Sequence, residues 1–130
     1  MREIKFRAWS NDYDAYCSEI RYDAGIWDGY VVDETGLEHH TSDIAIEQYT
    51  SLKDKNGKEI YEGDIVKIYL KNKLDGVYVC LWDNLNGEYV WGKTNDPDDA
   101  DWGGFPMNVK FRIIGNIHEN KELLEEENGR

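Results

Sequence analysis

The sequence predicts a mainly β protein, and three observations point that way. Apolar and polar residues alternate from Ile4 to Ala8, from Val66 to Leu70 and from Val109 to Ile113, which is the period of a half-buried strand. Five Trp and nine Tyr are of the types that fit a pleated, partly buried surface. Twelve glycines and two prolines indicate many tight turns.

From the N-terminus, Ile4 to Trp9 reads as a strand with Ile4, Phe6 and Ala8 on one face and Lys5 and Arg7 on the other. Asn11 to Asp14 is a turn, Cys17 to Tyr22 a second strand, and Asp23-Ala24-Gly25 turns the chain again. Ile26 to Val32 reads as a strand with a bulge or tight bend at Asp28-Gly29. Asp33-Glu34-Thr35-Gly36 is a turn, and Leu37 to His40 returns as a short hairpin arm. Two readings then stand side by side: a short helix capped by Ser42-Asp43, or a strand from Ile44 to Tyr49.

The middle of the chain is more sharply marked. In Asp54-Lys55-Asn56-Gly57-Lys58 the Asn-Gly pair suits the positive φ of a tight turn. Glu62-Gly63-Asp64 turns directly into a strand from Ile65 to Leu70, with Val66, Ile68 and Leu70 on one face. Asn72 to Gly76 reads as a polar turn. Val77 to Trp82 is apolar on both faces, so it is a central strand or one covered by another chain. Asn86-Gly87 closes a hairpin onto Glu88 to Trp91. Residues 94–106 form a long loop rich in Asp, Gly and Pro, of a length that is often functional. Val109 to Ile117 is a long strand with Val109, Phe111 and Ile113 inward, and Asn120 caps a short terminal helix through Lys121 to Glu125.

At 130 residues the chain has the size of an ordinary domain and buries roughly two-thirds of its unfolded surface, so it needs neither disulfide nor metal to fold. We expect an N-terminal β-rich region over 1–47 and a second region over 48–130, packed as one unit. The 27 acidic residues against 15 basic ones leave a net charge of −12. Nucleic-acid binding gains affinity by neutralising phosphates with Lys and Arg, so direct binding is disfavoured unless the few cations cluster; Lys5 with Arg7 and Lys67 with Lys71 and Lys73 are the candidate clusters. Cys17 and Cys80 belong to no C-x-x-C pair and read as buried reduced thiols. No apolar signal core opens the sequence, and no apolar run approaches the roughly 20 residues of a membrane span. These features predict a cytoplasmic protein with no membrane partner.

The segment Gln48-Tyr49-Thr50-Ser51-Leu52-Lys53-Asp54-Lys55-Asn56-Gly57-Lys58-Glu59-Ile60-Tyr61-Glu62-Gly63-Asp64-Ile65-Val66 resembles the central signature of the YopX family, phage- and prophage-encoded proteins of unassigned biochemical role. The opening Met1-Arg2-Glu3-Ile4-Lys5-Phe6-Arg7-Ala8-Trp9 and the closing Ile114-Gly115-Asn116-Ile117-His118-Glu119-Asn120 resemble the family's ends. Ser51 stands where the family usually has Gly, a departure with little expected consequence. The resemblance implies an SH3-type small barrel in the 48–130 region and assembly into homo-oligomers; it supplies no catalytic residues. A Gly-Asp turn feeding directly into Ile-Val-Lys-Ile suits such a barrel, whose closure removes free strand edges.

Candidate chemistry is sparse. Asp96, Asp98, Asp99 and Asp101 could supply oxygen ligands, but the Gly and Glu spacing of a calcium-binding loop is absent there and around Asp54, Asn56 and Glu59. His39 and His40 are adjacent strand residues, which point to opposite faces, so they do not share a metal; His118 stands apart. Neither Cys17 nor Cys80 has a base marked for it, and no nucleophile-elbow, P-loop or dinucleotide-binding motif occurs. We therefore expect no catalytic residue, no cofactor and no metal. The aromatic residues Tyr78, Trp82, Tyr89, Trp91, Trp102 and Phe105 are the candidate interface, because Tyr and Trp dominate binding hot spots. The leading reading is a self-assembling phage accessory protein that binds a host or phage protein. An acidic nucleic-acid mimic and a hydrolase acting on sugars or nucleotides are the alternatives.

Overall fold

The computed structural model describes residues 5–17, 20–21, 30–94, 96–97, 100–103 and 109–127. They form a mainly β protein: β1 (Phe6–Ser10), β2 (Ala15–Cys17), β3 (Ile20–Arg21), β4 (Tyr30–Asp33), β5 (Glu38–His40), β6 (Ile44–Lys53), β7 (Glu59–Tyr61), β8 (Asp64–Leu70), β9 (Lys73–Asp83), β10 (Glu88–Gly92), β11 (Ala100–Gly103), β12 (Val109–Asn116) and one short helix, α1 (Glu122–Glu127). Among the described residues no helix is long and apolar enough to cross a membrane. The chain divides into two compact units, Met1–Tyr49 and Thr50–Arg130.

In the N-terminal unit β1 lies between β2 and β6, antiparallel to both, and β3, β4 and β5 form a second antiparallel sheet. Ala8, Cys17, Val31 and Ile44 make its hydrophobic cluster. The alternation expected in β1 is only partly realised. Ala8 is buried, but Phe6 is 48% exposed, and Trp9 is buried instead, meeting Tyr16 edge-on at 5.1 Å. Arg7 does not form a cationic patch with Lys5. Its Nε donates to Glu47 Oε1 at 2.8 Å, opposite it in the register, and its guanidinium lies 4.2 Å from the Tyr16 ring.

The strand expected over Cys17 to Tyr22 is broken in two, since β2 ends at Cys17 and β3 belongs to the other sheet. Residues 22–29, with the expected Asp28-Gly29 bend, lie outside the described residues. Of the two readings for 44–49 the strand is the one adopted, preceded by a 3-10 turn over Thr41–Asp43. Pairing with β1 decides between them, as cross-strand contacts routinely override local propensity.

In the C-terminal unit five strands form an antiparallel sheet in the order β11-β10-β9-β8-β12. The two-sided apolar strand, β9, is its centre. On one face Tyr78 and Cys80 pack with Val66, Ile68, Tyr89, Trp91, Phe111 and Ile60. On the other, Val77, Val79 and Leu81 pack with Ile65, Val90 and Leu124 of α1.

The β8–β9 hairpin is tighter than expected. Lys71 and Asn72 alone form its loop at φ 50° and 67°, with Leu70 facing Lys73. Two positive φ values give the turn whose twist matches the flanking strands, so residues 73–76 extend β9 rather than form a turn. Residues 94–106 are not all loop either, since β11 pairs with β10. Nor does Asn120 cap α1 with its side chain, which accepts the Asn116 N–H at 3.2 Å.

Gly63 and Ser51 have left-handed φ with different consequences. Gly63 (φ 85°) donates its N–H to Cys80 and accepts from Ile117, which ties the turn before β8 to two other parts of the unit. Ser51 (φ 71°) sits within β6. A glycine reaches this region without steric cost, whereas a residue with Cβ is strained there. The Ser51 departure therefore has a physical consequence that the sequence did not announce.

Candidate functional site

The outward positions of β8 and β12 bring together the chain's scarce cations. Lys67 lies directly opposite Arg112, and Tyr69 opposite Lys110; cross-strand partners share a face. Lys55 reaches the same place from the turn after β6. Its N–H donates to the Phe111 carbonyl at 2.8 Å, and its Nζ stands 4.9 Å from the centre of the Tyr69 ring. Lys110 Nζ donates to Asn72 Oδ1 at 3.3 Å. Lys55, Tyr69, Asn72 and Lys110 line an open cleft of about 600 Å³, and Leu74, opposite Tyr69 on β9, is 51% exposed.

Asp54 positions Lys55. Its buried carboxylate accepts the N–H groups of Asn56 and Lys58, both at 2.9 Å, and of Ile113 at 3.1 Å. Burial opposes its charge, but donation from Ile113, Lys58 and Asn56 outweighs burial and holds the carboxyl below its ordinary range. Oδ1 is thereby engaged within the turn and Oδ2 by the backbone of β12. Of the cations considered together from sequence, Lys67 lies on this face, while Lys71 and Lys73 are exposed in and after the hairpin loop. Its strongest partners, Lys110 and Arg112, come from a strand some forty positions later; their outward alternation was the one signal available.

The aromatic candidates separate. Tyr78, Tyr89 and Trp91 lie in the core, at 3%, 4% and 0% exposure, with Trp91 stacked on Phe111 at 4.7 Å. Their rings serve the unit's own packing. Trp82 is 37% exposed and meets Tyr89 edge-on at 5.0 Å. Trp102 is on β11, opposite Trp91, with its side chain outside the described set, and Phe105 lies outside the described residues.

A second constellation, in the N-terminal unit, was not foreseen. β2, β4 and β5 bring Cys17, Asp33 and His39 together, all three buried. His39 Nε2 is 2.7 Å from Asp33 Oδ2 and 3.9 Å from Cys17 Sγ. The other Asp33 oxygen, Oδ1, accepts from the Thr35 N–H at 2.8 Å, the Thr35 hydroxyl at 2.6 Å and the Leu37 N–H at 3.1 Å. The His39 bond, then that of the Thr35 hydroxyl, holds the Asp33 carboxyl far below its ordinary range. Burial, then the charges of Asp33 and Glu34, push the Cys17 thiol up. This is not the arrangement of a cysteine nucleophile. Thiol and carboxylate address the same imidazole nitrogen, whereas a triad needs the carboxylate on one ring nitrogen and the thiol on the other. His40 points elsewhere, with Nδ1 accepting the Ser42 N–H.

The sequence model of the YopX protein family matches residues 5–125. The chain belongs to the YopX family. It is similar to protein EF1440 from Enterococcus faecalis, known from a crystal structure, at 25% identity and a TM-score of 0.65, over 96% of this chain and 100% of that one. It also shares its fold with protein yopX from Bacillus subtilis, at 20% identity and a TM-score of 0.54, over 95% of this chain and 98% of that one. No curated protein matches. The YopX match spans both constellations, from β2 through β12.

Proposed function

We propose that this YopX-family protein is a non-enzymatic phage or prophage accessory protein of the bacterial cytosol, a binding module that docks acidic protein surface on the cationic face of β8 and β12. Its first partner is a second copy of itself. We read the C-terminal unit as an SH3-type barrel, in which the Asp54 turn closes on the outer edge of β12 through Ile113 N–H and the Phe111 carbonyl.

The observation that carries the reading is the pairing of Lys67 with Arg112. Like charges directly opposite on a sheet are destabilising, so folding alone does not favour that choice. Tyr69 beside Lys55 and Lys110 adds a flat ring of the type that anchors interfaces. A chain of net charge −12 offers the complementary surface on any second copy. Such contact joins unlike patches, which gives rings or open chains. The same net charge opposes nucleic acid. The acidic mimic and the hydrolase are less well supported: Asp33, Asp54 and Asp83 are each held in turns by backbone N–H groups.

Light scattering at micromolar concentration tests the proposal. At low salt the mass should be a multiple of 15.2 kDa, and it should fall towards the single chain near ~1 M salt, where charges are screened beyond about 3 Å. The double variant Lys67→Glu, Arg112→Glu should be monomeric at all salt concentrations while melting like the parent. A parent that is monomeric throughout, or a charge-reversed variant that assembles normally, overturns the proposal.

A further inference from the structure

We propose that Cys17, Asp33 and His39 are a transition-metal site of the N-terminal unit and that it takes Zn²⁺. The donor set is one sulfur, one imidazole nitrogen and one carboxylate oxygen, all within 4.8 Å of one another and all buried. Hard cations such as Ca²⁺ and Mg²⁺ take oxygen ligands, whereas Zn²⁺ accepts all three of these types.

The distances suit the metal with small adjustments. Tetrahedral Zn²⁺ places its sulfur and nitrogen ligands roughly 3.5 Å apart and its nitrogen and oxygen ligands roughly 3.3 Å apart. Here Cys17 Sγ and His39 Nε2 are 3.9 Å apart, and His39 Nε2 and Asp33 Oδ2 are 2.7 Å apart. Shifts of about half an ångström, inward for the sulfur and outward for the carboxylate, open the tetrahedron.

Three further features fit a metal better than a closed hydrogen-bond network. First, the carboxylate is already oriented. Oδ1 is held by the Thr35 hydroxyl and the Thr35 and Leu37 N–H groups, which leaves Oδ2 aimed at the imidazole; ligating carboxylates are held this way by outer partners. Second, the imidazole is asked to do too much. Nε2 carries at most one proton, Asp33 Oδ2 claims it at 2.7 Å, and the buried thiol is left with a 3.9 Å contact. With Zn²⁺ bound, the Cys17 thiol proton is released, the imidazole carries its proton on Nδ1, and Nε2, Sγ and Oδ2 all point lone pairs at the ion. The two anionic ligands then balance its charge, so no net charge is buried.

Third, the N-terminal unit has reason to need a clip. Its hydrophobic cluster among the described residues is Ala8, Cys17, Val31 and Ile44, and one ligand belongs to that cluster. Small cores are commonly supplemented by a metal. Three protein ligands leave the fourth position to water or to a donor from a partner.

The test uses the full chain, reduced and stripped with chelator, and the metals alone. Zn²⁺ should bind one to one by calorimetry and raise the melting temperature by several degrees, since a ligand that binds only the folded state stabilises it. Co²⁺ should give a thiolate charge-transfer band together with tetrahedral visible absorption. Cys17→Ser should abolish that band, while Cys80→Ser should leave it intact. Thr35→Val keeps all three ligands and removes only the hydroxyl on Asp33, so it guards against a Cys17 variant that fails to fold; its Zn²⁺ affinity should drop roughly tenfold. Zn²⁺ binding no tighter than millimolar, a Co²⁺ spectrum without thiolate ligation, or binding unchanged in Cys17→Ser overturns the assignment.

Discussion

Ser51 holds φ at 71° inside β6, a conformation that a Cβ disfavours. Replacing it with Gly removes the strain but adds freedom to the unfolded chain. The strain is the larger effect where φ lies well inside the left-handed region, so Ser51→Gly should raise stability by about 1 kcal/mol in urea unfolding. Asp54 makes the opposite case. Asp54→Ala strands three N–H groups, those of Asn56, Lys58 and Ile113, and should cost about 3 kcal/mol.

Because the folded carboxyl of Asp54 titrates below its ordinary 3.8, its contribution is fully present above that value and is lost as pH falls through the lower folded value. Asp33 and Asp83 are shifted the same way, Asp83 chiefly by the Asn86 side chain. Urea midpoints should therefore hold from neutral pH to about pH 5 and decline steeply below pH 4, with a shallower decline in Asp54→Ala. Asp33 and Asp54 were legible as turn formers, since each opens a turn that ends in a positive-φ glycine, Gly36 or Gly57; for the turn ending at Gly87 the sequence marked Asn86-Gly87 but not Asp83. Their burial was not legible, because it depends on what packs over the turn.

At the scale of elements, the junction of β12 and α1 shows how a short helix is held. Six residues are too few for a stable helix on their own, and α1 persists because Leu124 is buried against Val77, Val79 and Leu81. The entry turn depends on Gly115. A Cβ there would lie 2.5 Å from Asn120 Oδ1 and 2.7 Å from Asn120 Cβ and Cγ. Gly115→Ala should cost about 2 kcal/mol by thermal melting, and adding Asn120→Gly should recover part of the loss by removing the obstructing side chain. Read from the sequence, the strand runs on to Ile117, whereas β12 ends at Asn116 and the chain turns at once. Asn120 was read as a helix cap because its spacing fits one; its side chain instead accepts the Asn116 N–H, a choice made by the sharp reversal after β12. Residues 94–106 misled for a related reason: β11 is a strand through its pairing with β10, and its Asp and Gly content hides that.

For the whole molecule, the charge distribution carries more meaning than the net charge. With a value of −12, the candidate cationic clusters in the sequence were Lys5 with Arg7 and Lys67 with Lys71 and Lys73. Folding gathers Lys55, Lys67, Lys110 and Arg112 beside Tyr69, while Arg7 is taken up by Glu47. Self-association should accordingly weaken with salt and fail when Lys67 and Arg112 are reversed, whereas an assembly built on the aromatic residues would tolerate both. Trp82 is the described member of that aromatic set with substantial exposure; Tyr78, Tyr89 and Trp91 are committed to the core.

By itself the sequence determined the β class, most strand positions in the C-terminal unit, the turns at Asp54, Gly63 and Asn86-Gly87, and the YopX likeness. All of these are written in local terms, as a two-residue alternation, as residues suited to positive φ, and as a contiguous motif. Only the tertiary structure decided which strands became neighbours. That decision brought Arg112 to Lys67, placed Lys55 over Tyr69, and closed Cys17, Asp33 and His39 into one buried cluster. The physical reason is that a side chain's face follows from its immediate neighbours along the chain, whereas its partners follow from strand pairing over long separations, where the entropy of loop closure is offset only by the packing of the whole sheet.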